Sequence, residues 1–248
     1  MDTLAASLPL IASAYALGGF VKGVIGIGMP LIIVPILSLT MPVPSAIALV
    51  SIPVLVSNLV QVAELKTVLP ALGRFRWLLI ALVPGAVIGA SLLMSLDQHQ
   101  LYLVLGAALL IFSLVGLVPV PEGRFAVNER LWNPLAGFGI GVVGGLSSFP
   151  GPPLVLYFMW LRVDKDVFVG TSASVYFLTG VPLMVTLVAH GALGWREALI
   201  STLGLVPLLA GMRLGTVMRN RLSQATFRKI MLAAVAMIAL ELLRRGAM

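Results

Sequence analysis

The chain has 248 residues, 60% of them hydrophobic and only 10% charged, with a formal net charge of +7 and a mean hydropathy of +1.09. A soluble globular domain carries roughly 25% charged residues, so this composition describes a polytopic, all-α membrane protein. The absence of cysteine excludes disulfides, thiolate metal sites and cysteine nucleophiles, and the basic excess fits Lys- and Arg-rich cytoplasmic loops better than a nucleic-acid partner.

The N-terminal MDTLAASLPLIASAYA has no basic region ahead of its apolar run, and Asp2 is its sole charge before Lys22. It reads as a first membrane segment and not as a cleaved signal peptide. Apolar runs of spanning or half-spanning length follow at 4–20, 24–39, 46–63, 77–95, 101–119, 131–143, 152–161, 167–189, 197–216 and 226–243. The stretch GGFVKGVIGIGMPLIIVP, Gly18–Pro35, is interrupted by glycines, Lys22 and Pro30. Glycine weakens a helix, and proline removes a backbone donor and crowds the carbonyl one turn back. In lipid, such a break survives only where protein buries it or where it lines a cavity.

The interruption recurs in GFGIGVVGGLSSFPGPPL, Gly137–Leu154. Gly19, Phe20, Gly23, Val24 and Gly26 match Gly137, Phe138, Gly141, Val142 and Gly144. Pro30–Leu31 realigns on Pro153–Leu154 after an insertion. Further on, Pro84 with Gly85/Gly89 corresponds to Pro207 with Gly211/Gly215, a small-residue spacing that permits close helix contact. The chain therefore divides into a first membrane repeat at 1–120, a linker loop at 121–130 and a second repeat at 131–248. The four tryptophans (77, 132, 160 and 195) fall at run ends, as an interfacial aromatic belt requires.

Charge addresses topology. If each broken stretch crosses once, the loop cations divide about eight against seven, contrary to the positive-inside rule. If each enters and returns as a hairpin, one face holds about twelve, including Lys66, Arg74, Arg76, Arg124, Arg130 and the basic cluster at 213–229. The other face keeps Arg196, Arg244 and Arg245. The reading is a helical bundle of two inverted repeats, each opening with a Gly/Pro-broken hairpin or discontinuous helix, with both termini outside the cytoplasm.

Two such tips, at Gly23–Pro30 and Gly144–Pro153, would approach each other near the midplane. Helices restarting after them would present free N–H groups and the positive ends of their dipoles, a setting for an anion. Candidate binding residues at the tips are Lys22, Gly23, Gly26, Gly28, Met29, Ser147, Ser148 and Gly151. An intramembrane cation such as Lys22 marks a functional site, against the alternative that it snorkels to an interface. Ser51, Asn58, Thr171, Ser172 and Ser174 extend the candidate set, Ser174 aligning with Ser51. Their hydroxyls and amide could instead satisfy neighbouring helix carbonyls, and both readings stand open. Glu241, within a turn of Arg244 and Arg245, is expected to pair with them.

These motifs resemble the sulfite exporter TauE/SafE family, grouped with the YfcA-like permeases. The resemblance rests on GFVKGVIGIGMPLIIVPIL with PSAIALVSIPVLVSN, and on GVVGGLSSFPGPPLVLYF with VFVGTSASVYFLTG, and it covers essentially the whole chain. It implies a bacterial-type inner-membrane transporter of small sulfur-containing anions: sulfite, a sulfonate or sulfoacetate. The expected partners are that small anion and the lipid bilayer, with a homodimer left open and no nucleic acid. No cofactor, metal or catalytic residue is expected, and no Walker-type loop is present for ATP. An anion leaving an inside-negative cell gains about 2.3 kcal/mol per charge per 100 mV, so the lack of a buried carboxylate for coupling favours export by alternating access. A thio-anion importer or channel-like permease is the alternative. An intramembrane enzyme lacks a visible base–nucleophile pair.

Overall fold

Helix breaks, more than helix lengths, organise this chain. The computed structural model describes residues 2–25, 28–64, 72–117, 128–161, 163, 165–218 and 224–248, and among them it contains helices and no strand. In chain order these are α1 (Asp2–Ile25), α2 (Met29–Ser38), α3 (Val43–Glu64), α4 (Arg76–Ser95) and α5 (Gln98–Leu117). The second half gives α6 (Glu129–Ser147), α7 (Gly151–Leu161), α8 (Lys165–Ala189), α9 (Trp195–Leu203), α10 (Leu205–Met218) and α11 (Gln224–Gly246). Arg76–Ser95, Gly170–Ala189 and Trp195–Met218 are long and apolar enough to cross a membrane. Trp77, Trp132 and Trp195 lie exposed in the first turns of α4, α6 and α9, where an aromatic belt would place them.

The glycines before each break behave differently from the sequence expectation. The first helix runs through Gly18, Gly19 and Gly23 and ends only at Ile25. Its counterpart runs through Gly137, Gly141, Gly144 and Gly145 to Ser147. At Gly19, Gly23, Gly137, Gly141 and Gly145 glycine serves inside the helix because a neighbouring backbone occupies the space a side chain would need. A Cβ on Gly19 or Gly23 would run into the carbonyl of Leu208 or Met212 of α10, and one on Gly211 or Gly215 into that of Ala16 or Phe20 of α1. The second copy repeats the arrangement with α4. Gly137, Gly141 and Gly145 meet the carbonyls of Leu78, Leu82 and Ala86, and Gly85 and Gly89 those of Phe138 and Val142. Such close approach replaces side-chain burial by dense backbone contact, the usual solution between helices in lipid.

The chain forms two compact units, and each draws on both sequence halves. One comprises Met1–Val50, Leu96–Val118 and Trp195–Met248; the other Ser51–Ser95 and Pro119–Gly194. In the first, α1 packs on α2 and α10, and α11 packs on α5 and α2. In the second, α6 packs on α4, α7 and α8, and α4 also contacts α8. In each unit, the interrupted helix pair of one half thus rests on the glycine-bearing helix of the other half.

The core of the second unit joins Phe75, Leu78 and Leu82 to Ile140, Leu154, Tyr157, Phe158 and Val175. Phe158 stacks against Phe75 at 4.9 Å and edge-on against Phe168 at 5.8 Å. At one end of this unit Arg74 forms a two-pronged ion pair with Glu129, at 2.7 and 3.0 Å, in the first turn of α6. Asn133 lies buried nearby and accepts a hydrogen bond from the Tyr157 hydroxyl at 2.6 Å.

Polar side chains finish α2 in the first unit. Its C-terminal carbonyls would otherwise be orphaned. The Tyr102 hydroxyl donates to Ser38 O, and the Arg245 guanidinium donates to Leu39 O at 2.7 Å. Arg245 and Arg244 both pair with Glu241, as the sequence leads one to expect.

Candidate functional site

The two tips close differently. Ahead of α2, Gly28 adopts φ +98°, a left-handed conformation that glycine takes without penalty. A Cβ there would meet open space, so the constraint is on the backbone and not on packing. Pro30 occupies the first turn, and Leu31 N bonds back to Gly28 O. Ahead of α7, Ser148 takes the same left-handed region at φ 64°, and its N–H caps Gly144 O at 2.8 Å. A non-glycine residue held there carries strain that a fold retains mainly where a site needs it.

The second tip offers fewer backbone donors than the sequence reading assigns to it. Pro152 and Pro153 have no N–H, and Leu154 N is committed to Pro150 O. Gly151, the first helical residue, has the Tyr176 hydroxyl directly against it. Ser147 is also occupied, because its Oγ donates to Val143 O at 2.5 Å and accepts from Phe149 N at 3.3 Å. It shapes the turn. The dipole of α7 remains.

Two buried hydroxyls lie at adjacent positions on α8. Thr171 and Ser172 are fully buried, and among the described residues their hydroxyl oxygens have no hydrogen-bond partner. Nearby hydroxyls behave otherwise: Ser174 Oγ donates to Gly170 O and Thr179 Oγ1 to Val175 O, the back-bonding that membrane helices normally use. Leaving a buried hydroxyl unpartnered costs about 1–3 kcal/mol. Ser172 precedes Tyr176 by one turn and therefore shares its face of α8. That face meets the tip through Tyr176 at Gly151 and Thr179 at Gly144.

The remaining candidates distribute as follows. Lys22 is 7% exposed, in the last turn of α1. Gly23 packs on α10, and Met29 is buried at the start of α2. Gly26 lies outside the described residues. Ser51 and Asn58 are buried on α3, and Asn58 Nδ2 donates to Val54 O at 2.7 Å. Within the second unit the structure brings Ser147, Ser148 and Gly151 together at one tip, with α8 packed along α7.

Sequence reasoning passed over the tyrosines. The chain has only four, Tyr15, Tyr102, Tyr157 and Tyr176, and the hydroxyl of each meets a polar group of the protein. A tyrosine in an apolar run needs such a partner, and that was the available signal.

A model of the sulfite exporter TauE/SafE family matches residues 11–242 of this sequence. The chain belongs to that family. Its membership, with the apolar helices, makes it a membrane transporter of the sulfite or anion exporter type. No curated protein matches the TauE/SafE chain, and neither does any solved structure.

Proposed function

We propose that this protein exports a small sulfur oxyanion, of the sulfite or sulfonate kind, across the inner membrane by alternating access. In the second unit Thr171 and Ser172 supply hydroxyl donors to the anion; in the first unit, taken by itself, Lys22 is a buried cation that takes part in transport. The observation that carries this reading is the hydroxyl pair: two buried donors lacking an acceptor among the described residues suit a ligand made of acceptor oxygens. Hydrogen bonds to an anion are roughly twice as strong as neutral ones, which would offset the cost of keeping the donors dry. Export fits the energetics, since an anion moves outward down the membrane potential without a coupling ion.

We further read the repeats as inverted and the broken pairs as hairpins. The loop charges support this, as does the way Gly18 of α1 faces Ile33 of α2 across the break.

The test is uptake by proteoliposomes of sulfite, sulfate, sulfoacetate and taurine, one at a time, under an imposed potential. Saturable movement of one sulfur anion is the expected result. Equal leakage of all four, or movement of none by folded and inserted protein, would overturn the proposal.

A further inference from the structure

Proline in the middle of α3 has a specific consequence. Pro53 has no N–H, so the carbonyl four residues earlier, on Leu49, loses its helical partner. A buried carbonyl in that position must find another donor. Leu49 O finds two: it accepts hydrogen bonds from the hydroxyls of Tyr15 on α1 and Ser201 on α9. All three residues are essentially inaccessible to solvent. The ring of Tyr15 also fills the space over Gly204, the residue between α9 and α10, where a Cβ would strike it. Three helices are thereby tied at one oxygen.

Tyr15 lies seven residues before Lys22. Two helical turns separate them, so both side chains leave α1 on the same face. Whatever fixes the rotation and depth of α1 at Tyr15 also fixes where Lys22 and the break after it are presented.

We propose that Tyr15 and Ser201 are positioning residues for transport, which orient Lys22 by sharing the carbonyl that Pro53 releases. The proposal rests on the transport reading above for its functional meaning, but its geometry can be tested separately. Either hydroxyl alone still satisfies Leu49 O, whereas removing both leaves a buried acceptor with none. Tyr15→Phe and Ser201→Ala therefore act weakly one at a time and strongly together. Pro53→Ala returns the missing N–H and makes both hydroxyls dispensable.

The chain has no cysteine, so Lys22→Cys gives a single labelling site without further engineering. Maleimide labelling of that thiol in membranes is measured in four backgrounds: the parent, each single variant and Tyr15→Phe/Ser201→Ala. The expected result is a change of no more than about twofold for each single variant and about tenfold for the pair, since an unsatisfied acceptor weighs more than a lost bond. Adding Pro53→Ala brings the rate back to that of the parent. With Lys22 intact, the half-saturation concentration for sulfite follows the same pattern while the maximal rate holds, which a merely structural role would not produce. An unchanged labelling rate in the double variant, or no rescue by Pro53→Ala, overturns the proposal. If the double variant does not fold, folding of the triple variant supports the proposal and its failure overturns it. Absence of sulfite transport in the parent, with the labelling pattern intact, sinks the transport reading alone.

Discussion

Thr171→Val and Ser172→Ala separate a binding site from an accident of packing, because the two explanations predict opposite signs. Valine has nearly the shape of threonine, so Thr171→Val removes a hydroxyl and leaves the packing of α8 intact. Each hydroxyl is buried without a partner among the described residues, a condition that costs about 1–3 kcal/mol. Removing it should stabilise the empty protein by about 1 kcal/mol, a rise of about 2–4 °C in the unfolding temperature for a chain of this size. A hydrogen bond to a charged ligand is worth about 1.5–3 kcal/mol, so each substitution should weaken anion binding by about 10- to 150-fold. Stability rises while affinity falls. The assay is thermal unfolding of purified protein in detergent, with and without sulfite, alongside the half-saturation concentration in proteoliposomes. A variant that is less stable than the parent, or more stable with unchanged affinity, would refute the reasoning.

Other substitutions test the architecture. Gly19→Ala and Gly141→Ala each push a methyl into a facing carbonyl and should cost about 1–3 kcal/mol, whereas Gly139→Ala, where nothing lies within reach, should be neutral or gain up to about 1 kcal/mol; thermal unfolding separates them. The Glu129 carboxyl is held below its usual range, first by the hydrogen bond from Arg74 and then by its charge, with burial opposing. A depressed pKa means that the pair contributes above the unfolded value and that the contribution is lost as pH falls through the folded one. The pair is partly exposed, so the effect is about 1 kcal/mol at most. Glu129→Gln should flatten the acid limb of stability by that amount, and an unchanged limb would show that the pair contributes nothing. Arg245→Gln removes the donor to Leu39 O at the end of α2 and should lower the unfolding temperature, by about 1–2 kcal/mol equivalent, more than Arg244→Gln does.

Much of this structure is legible in the sequence, and the rest hides for physical reasons. The breaks at the Gly/Pro tips were readable because proline and a left-handed glycine leave the backbone few options, as at Gly28–Pro30. The close-packing role of Gly85/Gly89 and Gly211/Gly215 was readable from spacing. The identity of their partners was not, because hydrophobic periodicity marks a face without saying which helix covers it. For the same reason Gly19 and Gly23 read as part of the break, although the structure keeps them helical against α10. The sequence reading passed over Pro53, and the hydroxyls that satisfy the carbonyl it frees come from 34 and 152 residues away, out of reach of any local pattern. The hydroxyls of Thr171, Ser172 and Ser174 looked alike in sequence. Only the hydrogen bonds of the folded chain separate Ser174, bonded to its own helix, from the two that have no partner among the described residues.

The central claim is that this TauE/SafE chain carries a sulfur oxyanion as a bound substrate. Counterflow tests it most directly: proteoliposomes loaded with unlabelled sulfite are diluted into a trace of labelled sulfite. The account predicts transient accumulation of label above equilibrium, speeded by internal sulfite and abolished in Thr171→Val/Ser172→Ala. Simple equilibration of the label, at a rate indifferent to internal sulfite and to those substitutions, would contradict it.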